Sequence, residues 1–489
     1  MVEIDADPMT LNDAIKQASP GDVIRLLPGR YPPTTFLRLR GEPGRPIRVI
    51  GTAESVFDGG RRFEDVQLDY NRLARELKRA NHYPGVHPIA HCGHVTMEGC
   101  RHVSLEGPAF EGCWPTGIAL EHCQHIRLAD LSIREGSFAI YATGAGTAHI
   151  LVERCTWVQD IEERRIWLDI PWAKIHENED VRDDDARAFD GDFFRAYGIK
   201  GHVTIRDCTI SHAFNAIHFF HADQNGQDLE QNRSVRIYRN RFNFIRDNAI
   251  EPEWGAKDWW VFHNSIYNCH KAFSVEPNRM GMTYWFGNTL WFDSLPTPDH
   301  NQNGGAVWKA ASNPRPAEGE NALFHNSFFV RSKYIKKRYL RGIRHFHNAI
   351  QYCDPAHDPA DTCSAVPSFF GKLNSTDPQK HFTKRWRDLD IRMFDDMCAH
   401  PMFPDGLRAA GYAIEGGWND APGFRDPRRG DFRLTEGAAA RGKGGAVMLD
   451  LPDGTVWTLP EGLDLGAYQD EARLEPPPYA YSADGSAMT

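Results

Sequence analysis

The sequence predicts an all-β solenoid, one elongated coil with about 24 residues per turn. The first observation behind this is a repeat. Segments 125–131 (HIRLADL), 149–155 (HILVERC), 202–208 (HVTIRDC), 234–240 (SVRIYRN), 258–264 (DWWVFHN) and 282–288 (MTYWFGN) align in register, and Phe-His-Asn tripeptides end at Asn326 and Asn348. The unit ends fall at 131, 155, 208, 240, 264, 288, 326 and 348, with steps of 24, 53, 32, 24, 24, 38 and 22. Three insertions therefore interrupt a period near 24. Second, each unit holds another alternating strand that opens on a small residue: Ala139-Ile140-Tyr141, Ala216-Ile217-His218, Ala249-Ile250-Glu251, Ala272-Phe273-Ser274 and Ala306-Val307-Trp308. Third, no amphipathic helix separates these strands, which excludes a βαβ array.

Read in order, residues 1–57 form a cap with a short helix at Leu11–Ile15 and a first turn. Residues 58–93 carry Leu68, Leu73 and Leu77 at roughly helical spacing among charges, which reads as an inserted surface helix. Residues 94–350 are the repeat core, interrupted at 159–195 by an insertion with Trp167, Trp172 and the run Asp183-Asp184-Asp185. Residues 351–430, rich in Pro, His and Asp, break the repeat as an irregular decoration. Residues 431–489 supply last strands and, from about Glu471, an extended tail. The column at the unit ends (Cys155, Cys208, Asn240, Asn264, Asn288, Asn326, Asn348) suits an inner turn where side-chain amides bond from rung to rung and Cys acts as a small apolar plug.

These features resemble the right-handed parallel β-helix of the pectate-lyase-like superfamily, whose inner turns carry asparagine ladders. The cap is similar as well: Leu11-Asn-Asp-Ala-Ile15, then Ser19-Pro-Gly-Asp-Val-Ile-Arg-Leu26 and Pro28-Gly-Arg-Tyr31, with Leu463-Asp-Leu-Gly-Ala-Tyr468 resembling a last strand. The resemblance covers roughly residues 8–350 plus that end piece, and it implies a fold and carbohydrate-active chemistry without choosing a reaction.

Composition narrows the classes. Of 489 residues 41% are hydrophobic and 25% charged, a globular balance. A net charge of −10 (56 basic, 66 acidic) argues against a general nucleic-acid binder, and no stretch reaches the ~20 apolar residues of a membrane helix. Ten cysteines show no CxxC pair and no zinc pattern. The N-terminus has no charged-then-apolar leader, yet substrates of the resembled fold are generally outside the cytoplasm, so a secreted or periplasmic protein is expected.

Setting Ile217, Ile250, Phe273 and Val307 inward turns Tyr141, His218, Glu251, Ser274 and Trp308 outward, with Phe220, Glu253 and Glu276 in a second outward column. Stacked carboxylates repel and raise one another's pKa, as a general acid requires. Glu251, Glu253 and Glu276 are accordingly the expected acid/base set, with Asp247 in reserve. The expected sugar-binding residues are His212, His218, His221, Arg246, His270, Lys271 and Arg279, with Trp254 and Trp308 stacking on sugar rings. Glu251 and Glu253 should lie about 6.6 Å apart at Cα, between the geometries of retaining and inverting glycosidases.

Elimination from a uronate is the alternative, drawing on Lys271, Arg246, Arg279, His218 and Tyr141, with the basic segment 331–341 holding acidic groups. A non-catalytic glycan-binding coil is the third reading. The chain has no Asp-Pro-His-Asp tetrapeptide such as alginate epimerases carry, and no lysine and arginine signature of chondroitinase-B-like lyases at matching rungs, which favours hydrolysis of a poly- or oligosaccharide. No cofactor is expected. Calcium at Asp183–Asp185 with Asp190 and Asp192 lacks the alternating loop pattern, and zinc at His212, His218, His221 and Glu251 is a minor reading.

Overall fold

The structure, a computed structural model, describes residues 1–79, 92–176, 180–223, 228–275, 278–293, 306–309, 319–330, 333–336, 344–352, 368–370 and 422–481. Each coil carries three strands. Gln124–Ala129, Ser132–Arg134 and Phe138–Thr143 make one turn; Ala148–Glu153, Thr156–Val158 and Asp192–Tyr197 make the next. Each strand lies parallel on its counterpart, Ile126 on Ile150, Ile133 on Trp157 and Ile140 on Phe194. Parallel pairing runs from Glu3–Ala6 on Val23–Leu26 at one end to Lys333–Lys336 on Ser368–Phe370 at the other, giving a right-handed parallel β-helix.

The period-two pattern explains the strands. Ile118, Ile140, Phe194, Ile217, Ile250, Phe273 and Trp308 stack rung upon rung and are all fully buried. Each such side chain contributes about 1.5–3 kcal/mol of transfer free energy.

The inner turn is closed by the amides. Asn240 Nδ2 donates to Asn264 Oδ1 at 3.1 Å, Asn264 to Asn288 at 3.0 Å, Asn288 to Asn326 at 2.9 Å and Asn326 to Asn348 at 2.9 Å. The same Oδ1 atoms accept the backbone N–H of the preceding Asn, and the backbone N–H of Cys208 donates to Asn240 Oδ1 at 3.0 Å. On another edge His102, His125, His149 and His202, each at a left-handed φ of 50–57°, stack their rings at 4.3, 4.4 and 4.7 Å.

The inserted helix spans Phe63–Arg79; Leu68 is 61% exposed, while Phe63, Val66 and Tyr70 are buried. Aromatic area decides this. Phe63 stacks on Phe189 of the second insertion at 4.1 Å, and Tyr70 meets Trp114 edge-on. The acidic run is held by ion pairs: Asp183 with Arg75 at 2.8 Å, and Asp184 with Lys174.

Asp192–Tyr197 belongs to the coil rather than to the insertion, because Phe194 continues the inward column from Ile140 to Ile217. Residues 422–481 lie along the coil's flank. Arg473 donates to the Gly287 carbonyl at 2.8 Å, His263 Nε2 to the Leu474 carbonyl at 2.8 Å, and Leu474 and Ala480 are buried. Most of 351–430, and the side chains of the basic segment 331–341, lie outside the described residues. Among the described residues no helix is long and apolar enough to cross a membrane.

Candidate active site

Register builds one outward column from residues that each follow an inward one: Tyr141, Arg195, His218, Glu251, Ser274 and Lys309. Glu253 pairs with Phe220 in the second column. The two glutamates and the histidine converge. His218 Nε2 lies 2.9 Å from Glu253 Oε2 and 3.5 Å from Glu251 Oε2, and its Nδ1 lies 3.4 Å from Asp192 Oδ1. Glu251 Oε1 accepts from Ser274 Oγ at 2.6 Å and from Lys309 Nζ at 2.9 Å, while Asn248 Nδ2 donates to its Oε2 at 2.7 Å. Arg195 is ion-paired with Asp192, and its guanidinium lies over the rings of Phe138 and Phe220 at 4.9 and 4.7 Å.

Charge is fixed by these neighbours. Burial opposes ionisation of both partners, but Lys309 and His218 hold the Glu251 carboxyl down at about 2. Burial also opposes charging His218, yet Glu251, Asp192 and Glu253 lift its imidazole to about 9. Beside the cluster, Asp247 lies well below the usual carboxylate range despite its burial, through Lys271 and His270. Burial pushes the Tyr141 hydroxyl up to about 12.

His218, Glu251 and Glu253 offer one ligand atom each within 4.8 Å of one another. One imidazole nitrogen and two carboxylates suit a divalent cation such as zinc, manganese or calcium. The set differs from the expected zinc group: Glu253 joins, while His212 and His221 stand apart. His212 stacks on Phe244 at 4.7 Å. His221, with a fully buried side chain, lies 3.1 Å from Asp223 and donates to the Asp228 carbonyl.

Other expected site residues are placed as follows. Trp308 does not face outward; it packs on Phe273 at 4.6 Å inside the core, and Lys309 takes its place in the column. The reason is a one-residue shift of register, which moves every side chain to the other face. Arg246 is fully buried and donates through Nε to the Ile166 carbonyl at 2.9 Å, an anchor for the insertion rather than a sugar contact. His270 is fully buried 3.6 Å from Asp247, and Lys271 pairs with Asp247 beneath the Trp172 ring. Trp254 meets Phe220 edge-on at 5.6 Å and is 9% exposed. Arg279 is partly exposed on the strand that pairs Trp254–Ala256 with Asn278–Met280, at the corner that follows Glu253. Glu276 lies outside the described residues.

The sequence reading missed Arg195, Asn248 and Lys309, and set Asp192 with the acidic run rather than at this centre. The alternation in Asp192-Phe-Phe-Arg-Ala-Tyr197 just before Gly201-His202 was the available signal for Asp192 and Arg195. Placing Lys309 after Ser274 needed the register that only packing supplies.

No family model and no curated protein sequence matches the chain. Three solved structures it is similar to are an alginate lyase from Paenibacillus sp. str. FPU-7 (13% identity, TM-score 0.40, covering 72% of this chain and 98% of that one), a family 28 exopolygalacturonase from Yersinia enterocolitica (10%, 0.36, 75% and 76%) and PfbA, a surface adhesin of Streptococcus pneumoniae (8%, 0.33, 70% and 84%). At such values the fold rests on the chain's own register. With three parallel strands per coil and a continuous asparagine ladder, the chain is a right-handed parallel β-helix.

Proposed function

We propose that the chain is an enzyme acting on a uronate-containing glycan by β-elimination at the centre formed by His218, Glu251 and Glu253. The convergence of these three side chains on one point carries the reading. Paired-carboxylate hydrolysis needs one carboxyl group protonated near neutral pH, with the two groups flanking the scissile bond. Glu251 instead is held ionised at about 2, and Glu253 shares His218 Nε2 with it. A binding module would gain nothing from burying carboxylates together, since buried charge is costly unless paired.

Elimination asks for positive charge where the substrate carboxylate sits. A divalent cation held by His218, Glu251 and Glu253 would supply it as a Lewis acid, acidifying the neighbouring C–H. Arg195 and Lys309 flank the three along the column and neutralise Asp192 and Glu251. Asn248 and Ser274 orient Glu251. The proton leaving carbon is taken by Glu253 through the oxygen that does not bond His218, and the C–O bond breaks as the double bond forms. The Tyr141 hydroxyl, protonated by virtue of its burial, gives its proton to the leaving oxygen, whose charge Arg279 at the corner after Glu253 offsets.

The test is incubation with neutral and uronate polysaccharides, with and without a chelator, reading reducing ends and the ultraviolet absorbance of unsaturated uronate together. Both signals should rise on a uronate glycan, and both should vanish with Glu253→Gln. Reducing ends without absorbance would refute elimination in favour of hydrolysis. That second reading is favoured by the closeness of Glu251 and Glu253, which offer carboxylate oxygens within 4.8 Å of each other where retaining pairs stand ~5–5.5 Å apart.

A further inference from the structure

A cavity of about 510 Å³ opens on the N-terminal coils, away from this centre. The register stacks Asp58, Glu111 and Arg134 on successive rungs at the end of the short strands, and the start of the inserted helix contributes Arg61 and Arg62 above them. Some of the charge here is already satisfied. Arg30 pairs with Asp58 and lies 3.7 Å from Glu111, and Arg62 Nη1 donates to Glu135 Oε2 at 3.1 Å.

Two groups are left over. Arg134 makes no ion pair among the described residues and is exposed, with its backbone committed to the coil. Glu135 is 3% exposed and sits at a left-handed φ of 66°; the Phe63 N–H and Arg62 face its carboxyl, and Oε1 completes no well-formed hydrogen bond among the described residues. A buried carboxylate oxygen left without a full donor is costly. A ligand hydroxyl would remove that cost.

We propose that this cavity is a second carbohydrate site that takes one acidic sugar unit. The anionic group sits on the Arg134 guanidinium, and a neighbouring hydroxyl donates to Glu135 Oε1. An anion alone would leave Glu135 unsatisfied and repelled, and a neutral sugar would leave Arg134 unused; a uronate or sulfated sugar satisfies both. Three rungs separate the Arg134 strand from the strand bearing Glu251 and Glu253, so the site lies about 14 Å along the axis from the centre. The site would grip a polymer remote from the reacting bond. The choice of an acidic glycan rests on the uronate reading above; the binding does not.

The experiment is saturation-transfer NMR on the full chain with galacturonic acid, galactose 6-sulfate and galactose as probes. Wild type, Arg134→Gln, Glu135→Gln and Glu253→Gln are compared. Both acidic sugars should bind wild type and Glu253→Gln alike, with galactose about tenfold weaker, and Arg134→Gln should weaken acidic-sugar binding about tenfold, the loss of one charge-assisted contact. Glu135→Gln should weaken all three probes. Arg134 is exposed, so its variant keeps the fold; an unchanged melting temperature checks this. Equal binding of galactose, no binding at all, or acidic-sugar binding that survives Arg134→Gln would overturn the proposal. Loss in Glu253→Gln alone would place the sugar at the centre and leave elimination standing. Arg134-dependent binding without elimination activity would do the reverse.

Discussion

Replacing Asn264 by Leu tests the ladder that sets the register of the coil. The Asn264 side chain makes four hydrogen bonds: Nδ2 donates to the Ile237 carbonyl at 2.9 Å and to Asn288 Oδ1 at 3.0 Å, and Oδ1 accepts from the backbone N–H and from Nδ2 of Asn240, each at 3.1 Å. Leu is close to Asn in size, so no large cavity arises and the cost is polar. Four bonds at about 1 kcal/mol net each give about 4 kcal/mol, and the orphaned Asn240 N–H raises the total to about 5–7 kcal/mol. Cys is already accommodated in this column at Cys208, so Asn264→Cys should cost roughly half as much. Urea unfolding followed by tryptophan fluorescence is the assay, because Trp259, Trp260 and Trp285 are fully buried in adjoining rungs. In a solenoid the loss acts first on neighbouring coils, so the transition should shift and broaden. A Leu variant with the wild-type midpoint would refute the ladder as a source of stability.

Three further outcomes follow from the same structure. Glu253→Gln should abolish turnover while moving stability by less than about 1 kcal/mol, because Glu253 is bonded chiefly through His218; an active variant would remove it from the reaction. Glu251→Gln should destabilise by about 2–4 kcal/mol by stranding the part-buried Lys309 ammonium, and the double variant with Lys309→Met should recover most of this; additive losses in calorimetry would contradict the pairing. The C-terminal cover should loosen in acid: burial lowers His263 to about 4 and His325 to about 3, so both are neutral when docked. Their contribution is complete above the ordinary value of 6.5 and is lost as pH falls towards 4 and 3, up to about 3 kcal/mol for His263. Hydrogen exchange of residues 463–481 against pH reads this, and a profile flat between neutrality and pH ~4 would refute it.

The coil was legible in the sequence because its parts repeat under one constraint. Asn240, Asn264, Asn288, Asn326 and Asn348 meet the same buried turn on each rung, so the same side chain recurs at a readable spacing. The pairing of His218, Glu251 and Ser274 was also legible, since all three follow an inward residue preceded by alanine. Trp308 was misplaced because Val307 and Trp308 are both apolar and fully buried, and hydrophobicity alone cannot say which of two neighbours points into the core. The leucines at helical spacing marked the inserted helix without saying which face packs. Helical spacing marks a face, but the partner picks it, and here Trp114 and Phe189 select Phe63 and Tyr70.

The sequence by itself determined the period, the strand content, the inner ladder and the face on which charge collects, because each depends on contacts between equivalent residues one turn apart. Only the tertiary structure decided the chemistry available there. It brought Asp192 and Arg195 in from beyond an insertion, placed Lys309 on Glu251 and set both glutamates on one imidazole. The protonation of a carboxylate depends on which charges stand within a few ångströms, whatever their distance along the chain.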